Sequence, residues 1–85
     1  MLATEVEALL VSRASEMQFV VQGDGRNFQI EAVAEAFEGL SRLKRQQAVY
    51  KLIANEIADG QLHAITITAL TPSEKSAREI GGAHV

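Results

Sequence analysis

A two-layer α+β sandwich in the order α-β-β-α-α-β, with a short C-terminal helix, is the fold class this chain predicts. Three observations predict it. Residues on either side of Gly23-Asp24-Gly25 alternate between apolar and polar, the pattern of a β-hairpin. Two further stretches repeat apolar residues at helical spacing, and a third alternating run, Leu62 to Leu70, follows a helix stop at Asp59-Gly60. Three strands with the helices stacked on one face bury both apolar surfaces against each other. A chain of 85 residues has room for one domain, expected over 1–80, with Gly81 to Val85 as a flexible tail.

The elements follow in order. Thr4 and Glu7 have capping-box spacing, and Val6, Leu9 and Leu10 form one apolar stripe, so a first helix is expected over about residues 4 to 14. Met17, Phe19 and Val21 then alternate with Gln18, Val20 and Gln22 as the first strand. Phe28, Ile30 and Ala32 continue the alternation in the second. Val33, Glu35 and Phe37 hold the opposite parity, which predicts a bulge at Ala32-Val33. Val49, Leu52, Ile53 and Ile57 make a second helical stripe. In the third strand Ile65 and Ile67 share one face and Thr66 and Thr68 the other. Thr71-Pro72-Ser73-Glu74 begins a short last helix, in which proline is tolerated in the first turn.

The stretch from Phe37 to Tyr50 connects the hairpin to the longest helical segment. Gly39 is free to take backbone angles closed to other residues, and the Ser41 hydroxyl can accept from the next turn, so a helix is expected to begin at Ser41. Arg42, Lys44 and Arg45 then lie at the positive end of its dipole, with Glu56 and Asp59 at the negative end. For one continuous helix that order is backwards, and each exposed misplaced charge costs on the order of 0.3–1 kcal/mol. Three readings are open: a short helix ending near Gln46 and a second from Gln47 to Asp59; compensation by an anionic partner; or three solvated side chains.

Composition excludes several functions. The chain is 47% hydrophobic, 5% aromatic and 22% charged, with a net charge of −3 and a pI near 5.3. That balance gives no general affinity for nucleic acid or anionic membrane. The absence of cysteine removes disulfides, thiolate ligands and thiol nucleophiles. Glu5 and Glu7 interrupt any signal-peptide pattern, and no apolar run approaches the roughly 20 residues that span a bilayer, so a cytoplasmic protein is expected. Asp59 lies near His63 in sequence, and Ser41 and Ser73 are present. No nucleophile elbow, metal-ligand pair or phosphate loop accompanies them, and no enzyme is expected.

The run Ala36-Phe37-Glu38-Gly39-Leu40-Ser41-Arg42-Leu43-Lys44-Arg45-Gln46-Gln47-Ala48-Val49-Tyr50, followed by Leu62-His63-Ala64-Ile65-Thr66-Ile67 and Thr71-Pro72-Ser73-Glu74, resembles the BolA family. The Gln-Gln pair before Val-Tyr is most similar to its YrbA-type branch. The resemblance covers about residues 4 to 75. It implies a fold similar to the class II KH domain, with a mixed three-stranded sheet. It also implies a non-catalytic partner of monothiol glutaredoxins, sharing a [2Fe-2S] cluster or forming an apo complex, in cluster trafficking, iron or stress regulation and transcription. By position, His63 matches the family's histidine at the start of the third strand, a cofactor and metal ligand. The family's second ligand position, in the first hairpin loop, is here Asn27, whose amide is a poor ligand for ferric iron. Lys75 stands where a tryptophan often follows Pro-x-Glu.

Each of these residues also has a plainer role. His63 is in phase with Ile65 and Ile67, so a regular strand turns it toward the core. Asp24 is a conceivable oxygen ligand, but Asp-Gly is also a turn signal. The Gly39 to Arg45 segment falls where a KH domain carries its Gly-x-x-Gly loop, yet it has one glycine. Nucleic-acid binding by a KH-like regulator is therefore the alternative reading, and Arg42, Lys44 and Arg45 are candidate contacts to an acidic protein surface.

Overall fold

Alternation becomes a mixed sheet. β1 (Gln18–Gly23) pairs antiparallel with β2 (Asn27–Val33), and β2 pairs in parallel with β3 (Ala64–Leu70), giving the order β1-β2-β3. The computed structural model describes residues 1–25 and 27–83. Arg26 of the expected turn, and His84 and Val85 of the expected tail, lie outside these.

Register places the apolar positions on one face. Phe19 lies opposite Ala32 and Val21 opposite Ile30, while Phe28 and Ile30 neighbour Ile65 and Ile67 across the parallel ladder. α1 (Ala3–Arg13) covers this face with Val6 and Leu10, and α2 (Arg42–Leu52) covers it with Val49. Phe37, Ile53 and Leu62 complete the core at no more than 1% exposure. Burying each such side chain contributes about 1.5–3 kcal/mol, so these few aliphatic and aromatic groups dominate the stability.

Four local expectations are corrected. The first helix starts earlier, with the Leu2 N–H donating to Glu5 Oε1 at 2.7 Å, so Thr4 is helical and caps nothing. No bulge is needed at Ala32-Val33. The strand ends at Val33, and Glu35–Phe37 form a single 3-10 turn whose period of three, rather than two, brings Phe37 into the core. The helix is broken as one reading proposed, but at Ile53, not near Gln46. α2 runs through Leu52, and a short α3 (Ala54–Ala58) follows, so Glu56 falls in a first turn, where a carboxylate suits the dipole. Finally, β3 begins at Ala64, which leaves His63 ahead of the ladder and exposed, while Leu62 takes the inward position.

The Ile53 break is held by α1. Arg13 donates to the Leu52 carbonyl and grips Glu56 with both arms, at 2.7 and 3.0 Å. That hydrogen bonding pushes the Arg13 pKa up and holds the Glu56 carboxyl below its ordinary value.

α4 (Pro72–Ala83) begins as its sequence predicts, although it is longer than expected and includes Gly81, Gly82 and Ala83. The Thr71 N–H donates to Glu74 Oε1 at 2.8 Å, and the Glu74 N–H donates to Thr71 Oγ1 at 3.2 Å, a reciprocal capping box. Its Lys75 reaches Glu31 Oε1 at 2.6 Å. Glu31 is on the outer face, between Val20 and Thr68 in register, so α4 does not join the other helices on the inner face. The ion pair also gives Lys75, at the family's tryptophan position, a partner of its own.

Candidate functional site

Two surfaces carry the residues singled out from the sequence, one at each end of β3. At the first, Asn27 is the register partner of Ala64, and Gly25, Asn27, His63 and Ala64 line one open depression. The structure thus brings His63 together with Asn27, the second ligand position of the resemblance. Both are exposed.

Local chemistry fixes each of them. Gly23 has φ +127°, and a Cβ there would come within 2.1 Å of the Asn27 carbonyl oxygen, so only glycine allows the two backbones to approach. The Asp24 N–H donates to the Asn27 carbonyl at 3.2 Å, and the Asn27 N–H donates to Asp24 Oδ1 at 3.3 Å. Asp24 is thereby engaged in the turn. On the other side, the Leu62 N–H donates to the Glu56 carbonyl at 3.1 Å, and its side chain is sunk in the core. His63 is therefore held between a buried anchor and the start of β3.

The donor set is incomplete. Among the described residues no group of three or more His, Cys, Asp or Glu side chains could hold a metal ion. One exposed imidazole beside one amide fits a ligand to a metal centre completed by another molecule, and does not fit a self-contained site.

At the other end of β3, the basic stretch divides. Ser41 caps α2 as expected, with its Oγ accepting from the Lys44 N–H at 3.2 Å. Arg45 turns inward and donates to the Leu40 carbonyl at 3.0 Å, the Ala69 carbonyl at 3.3 Å and Glu74 Oε1 at 2.6 Å. The anion that compensates Arg45 is thus within the chain, and its hydrogen bond, ahead of the Thr71 N–H, holds the Glu74 carboxyl below its ordinary value. Arg42 and Lys44 are exposed, and neither has an ion pair among the described residues. Sequence reasoning missed the Glu74 hub and Gln46, whose Nε2 donates to the Ile67 carbonyl at 3.1 Å. The Thr-x-x-Glu spacing already placed the Glu74 carboxylate at the α4 start, but nothing local showed that α2 would deliver Arg45 to it.

A small α+β domain with a mixed three-stranded sheet and an exposed histidine beside its first hairpin is the class these features define. The chain belongs to the BolA-like family, whose model, described as BolA-like protein, matches residues 2–74. It is 44% identical over 70 residues to acid stress protein IbaG of Escherichia coli strain K12, a YrbA-type relative, covering 82% of this chain and 83% of that one. The crystal structure of a bol-like protein from Babesia bovis is 34% identical with a TM-score of 0.74, covering 93% and 94% of the two chains. The structure of a bolA protein homologue from Coxiella burnetii has a TM-score of 0.79 at 23% identity, covering 89% and 97%, a likeness of fold. Among the described residues no helix is long and apolar enough to cross a membrane.

Proposed function

We propose that this protein is a non-catalytic, cytoplasmic partner of a monothiol glutaredoxin, and that His63 gives one ligand to a [2Fe-2S] cluster held between the two proteins, serving cluster trafficking and iron or stress regulation. The observation that carries the reading is the exposed His63 beside Asn27, with no group of three or more His, Cys, Asp or Glu among the described residues to complete a metal site. A neutral imidazole is a good iron donor and replaces thiolate in some clusters. The thiolates this chain lacks come from the partner. Asn27 leaves the second position weak, which favours a cluster passed on over one retained. The name of the IbaG relative, an acid stress protein, supports a role in stress.

Arg42 and Lys44 are the cations available for an acidic partner surface, with Arg45 bracing the helix that presents them. The same two cations keep the KH-like nucleic-acid reading as the alternative. Co-expression with a monothiol glutaredoxin, followed by an absorption spectrum and sizing, tests the first. The second requires DNA or RNA affinity that falls steeply with salt.

A further inference from the structure

β3 is an edge strand, and its free side is not blank. The Ala34 N–H bonds the Leu70 carbonyl on the β2 side, at 3.0 Å. Backbone groups alternate in direction along a strand, so the carbonyls of Ile67 and Ala69 point away from β2, where Gln46 and Arg45 meet them. The N–H groups of Ile65, Ile67 and Ala69 point the same way, and among the described residues no strand lies beyond to accept from them. A carbonyl oxygen has two lone pairs, so the bonds from Gln46 and Arg45 leave room for a second donor.

Beside this edge runs a groove. Its first part, of about 420 Å³, lies between α2 and β3, with half-buried Ile65 and Ile67 against Tyr50, which is 47% exposed. It continues, through about 750 Å³, between α2, β3 and α4. Arg42 lines both parts and Arg78 the second. Neither has an ion pair among the described residues, whereas Arg45 is neutralised by Glu74. On a chain of net charge −3, the groove is locally cationic at one end and apolar at the other.

We infer that this groove receives an extended, acidic segment of a partner protein, added as a strand to the free edge of β3. Its backbone bonds the Ile65 and Ile67 amides, an apolar side chain packs on Tyr50 and Ile65, and a carboxylate further along reaches Arg42 and Arg78. The main chain gives such an addition its affinity, and the flanking pockets give it direction. An apolar Tyr50 wall distinguishes the groove from a purely electrostatic one. The inference deepens the partner reading above and rests on it for the kind of ligand, a protein segment, but it does not require a cluster.

The test is a titration of the isotope-labelled full chain with the peptide acetyl-Val-Thr-Val-Thr-Glu-Thr-Glu-amide, whose valines and glutamates share one face when extended. Expected are shifts at the Ile65, Ile67 and Ala69 amides, with slowed hydrogen exchange at Ile65 and Ile67. Arg42→Ala and Arg78→Ala should each weaken binding about threefold and Tyr50→Ala about fivefold, while Lys51→Ala, outside the groove, leaves it unchanged. The same peptide with glutamine for glutamate should bind more weakly, and one with proline at its centre should not protect the amides. Equal binding by the glutamine peptide, or no response in β3, overturns the inference. So does oligothymidylate binding at these amides without peptide binding, which assigns the groove to nucleic acid. If the peptide fails while a glutaredoxin complex still forms, only the groove is wrong. If the peptide binds and no complex forms, only the cluster reading is.

Discussion

The two ends of β3 differ in how much of their chemistry is already used. At the C-terminal end, Glu74 satisfies Arg45 and Thr71, while Arg45 and Gln46 donate to the Ala69 and Ile67 carbonyls, which locks α2, β3 and α4 together. At the N-terminal end, His63 and Asn27 stand exposed on backbones that are firmly held. At the first end these four side chains are engaged in folding contacts. The second leaves an imidazole and an amide side by side in one open depression. Charge alone does not tell the cations of the basic stretch apart: Arg45 is the most engaged of them, while Arg42 and Lys44, like His63, are exposed.

Substitution costs most in the core that both ends share. Ile53→Ala should cost about 2–5 kcal/mol in chemical denaturation, and Ile57→Ala distinctly less, because Ile53 is fully buried at the helix break and Ile57 only partly. Equal losses would mean that the break at Ile53 is misplaced. Gly23→Ala should cost about 1–3 kcal/mol and shift the Asn27 environment, since its backbone lies in a region closed to alanine and its Cβ would meet Asn27. A variant of wild-type midpoint would show that the hairpin end is not rigidly mounted.

Smaller effects separate the ends themselves. Thr71→Ala removes half of a capping box and should cost about 0.5–2 kcal/mol while leaving the His63 environment untouched. Acid unfolding reads the internal ion pairs. Glu56 and Glu74 titrate below the ordinary carboxylate value of 4.5 in the folded chain, each chiefly through its arginine. A carboxyl of depressed pKa contributes stability above its unfolded pKa and loses it as pH falls through the folded one. The gap in melting temperature between wild type and Glu56→Gln should therefore narrow from about pH 6 to about pH 3. A gap constant across that range would remove the Arg13–Glu56 pair as a stabilising contact.

Much of this was legible in the sequence, for physical reasons. Phe28, Ile30 and Ala32 fix a strand because a period of two leaves no other way to share a face, and Thr71 with Glu74 marks a helix start by chemistry alone. Where the period changed within a few residues, legibility failed. The 3-10 turn at Glu35–Phe37 mimicked a bulge, and the end of the ladder at Ala64 turned His63 outward against its parity. The Arg45–Glu74 pair joins residues 29 apart in sequence, and only the packing of α2 on β3 brings them together. His63 and Asn27 were singled out by a family resemblance; that they are neighbours is a result of parallel register, which no local pattern announces.

The measurement that bears most directly on the account is the visible absorption spectrum of the complex co-expressed with a monothiol glutaredoxin, compared between wild type and His63→Ala. His63→Ala should leave the fold and melting temperature nearly unchanged, because the side chain is exposed, yet alter the spectrum and shorten the lifetime of the cluster; Asn27→His should lengthen it. A His63→Ala complex with the wild-type spectrum and lifetime would contradict the account, for the iron would then be held without this histidine.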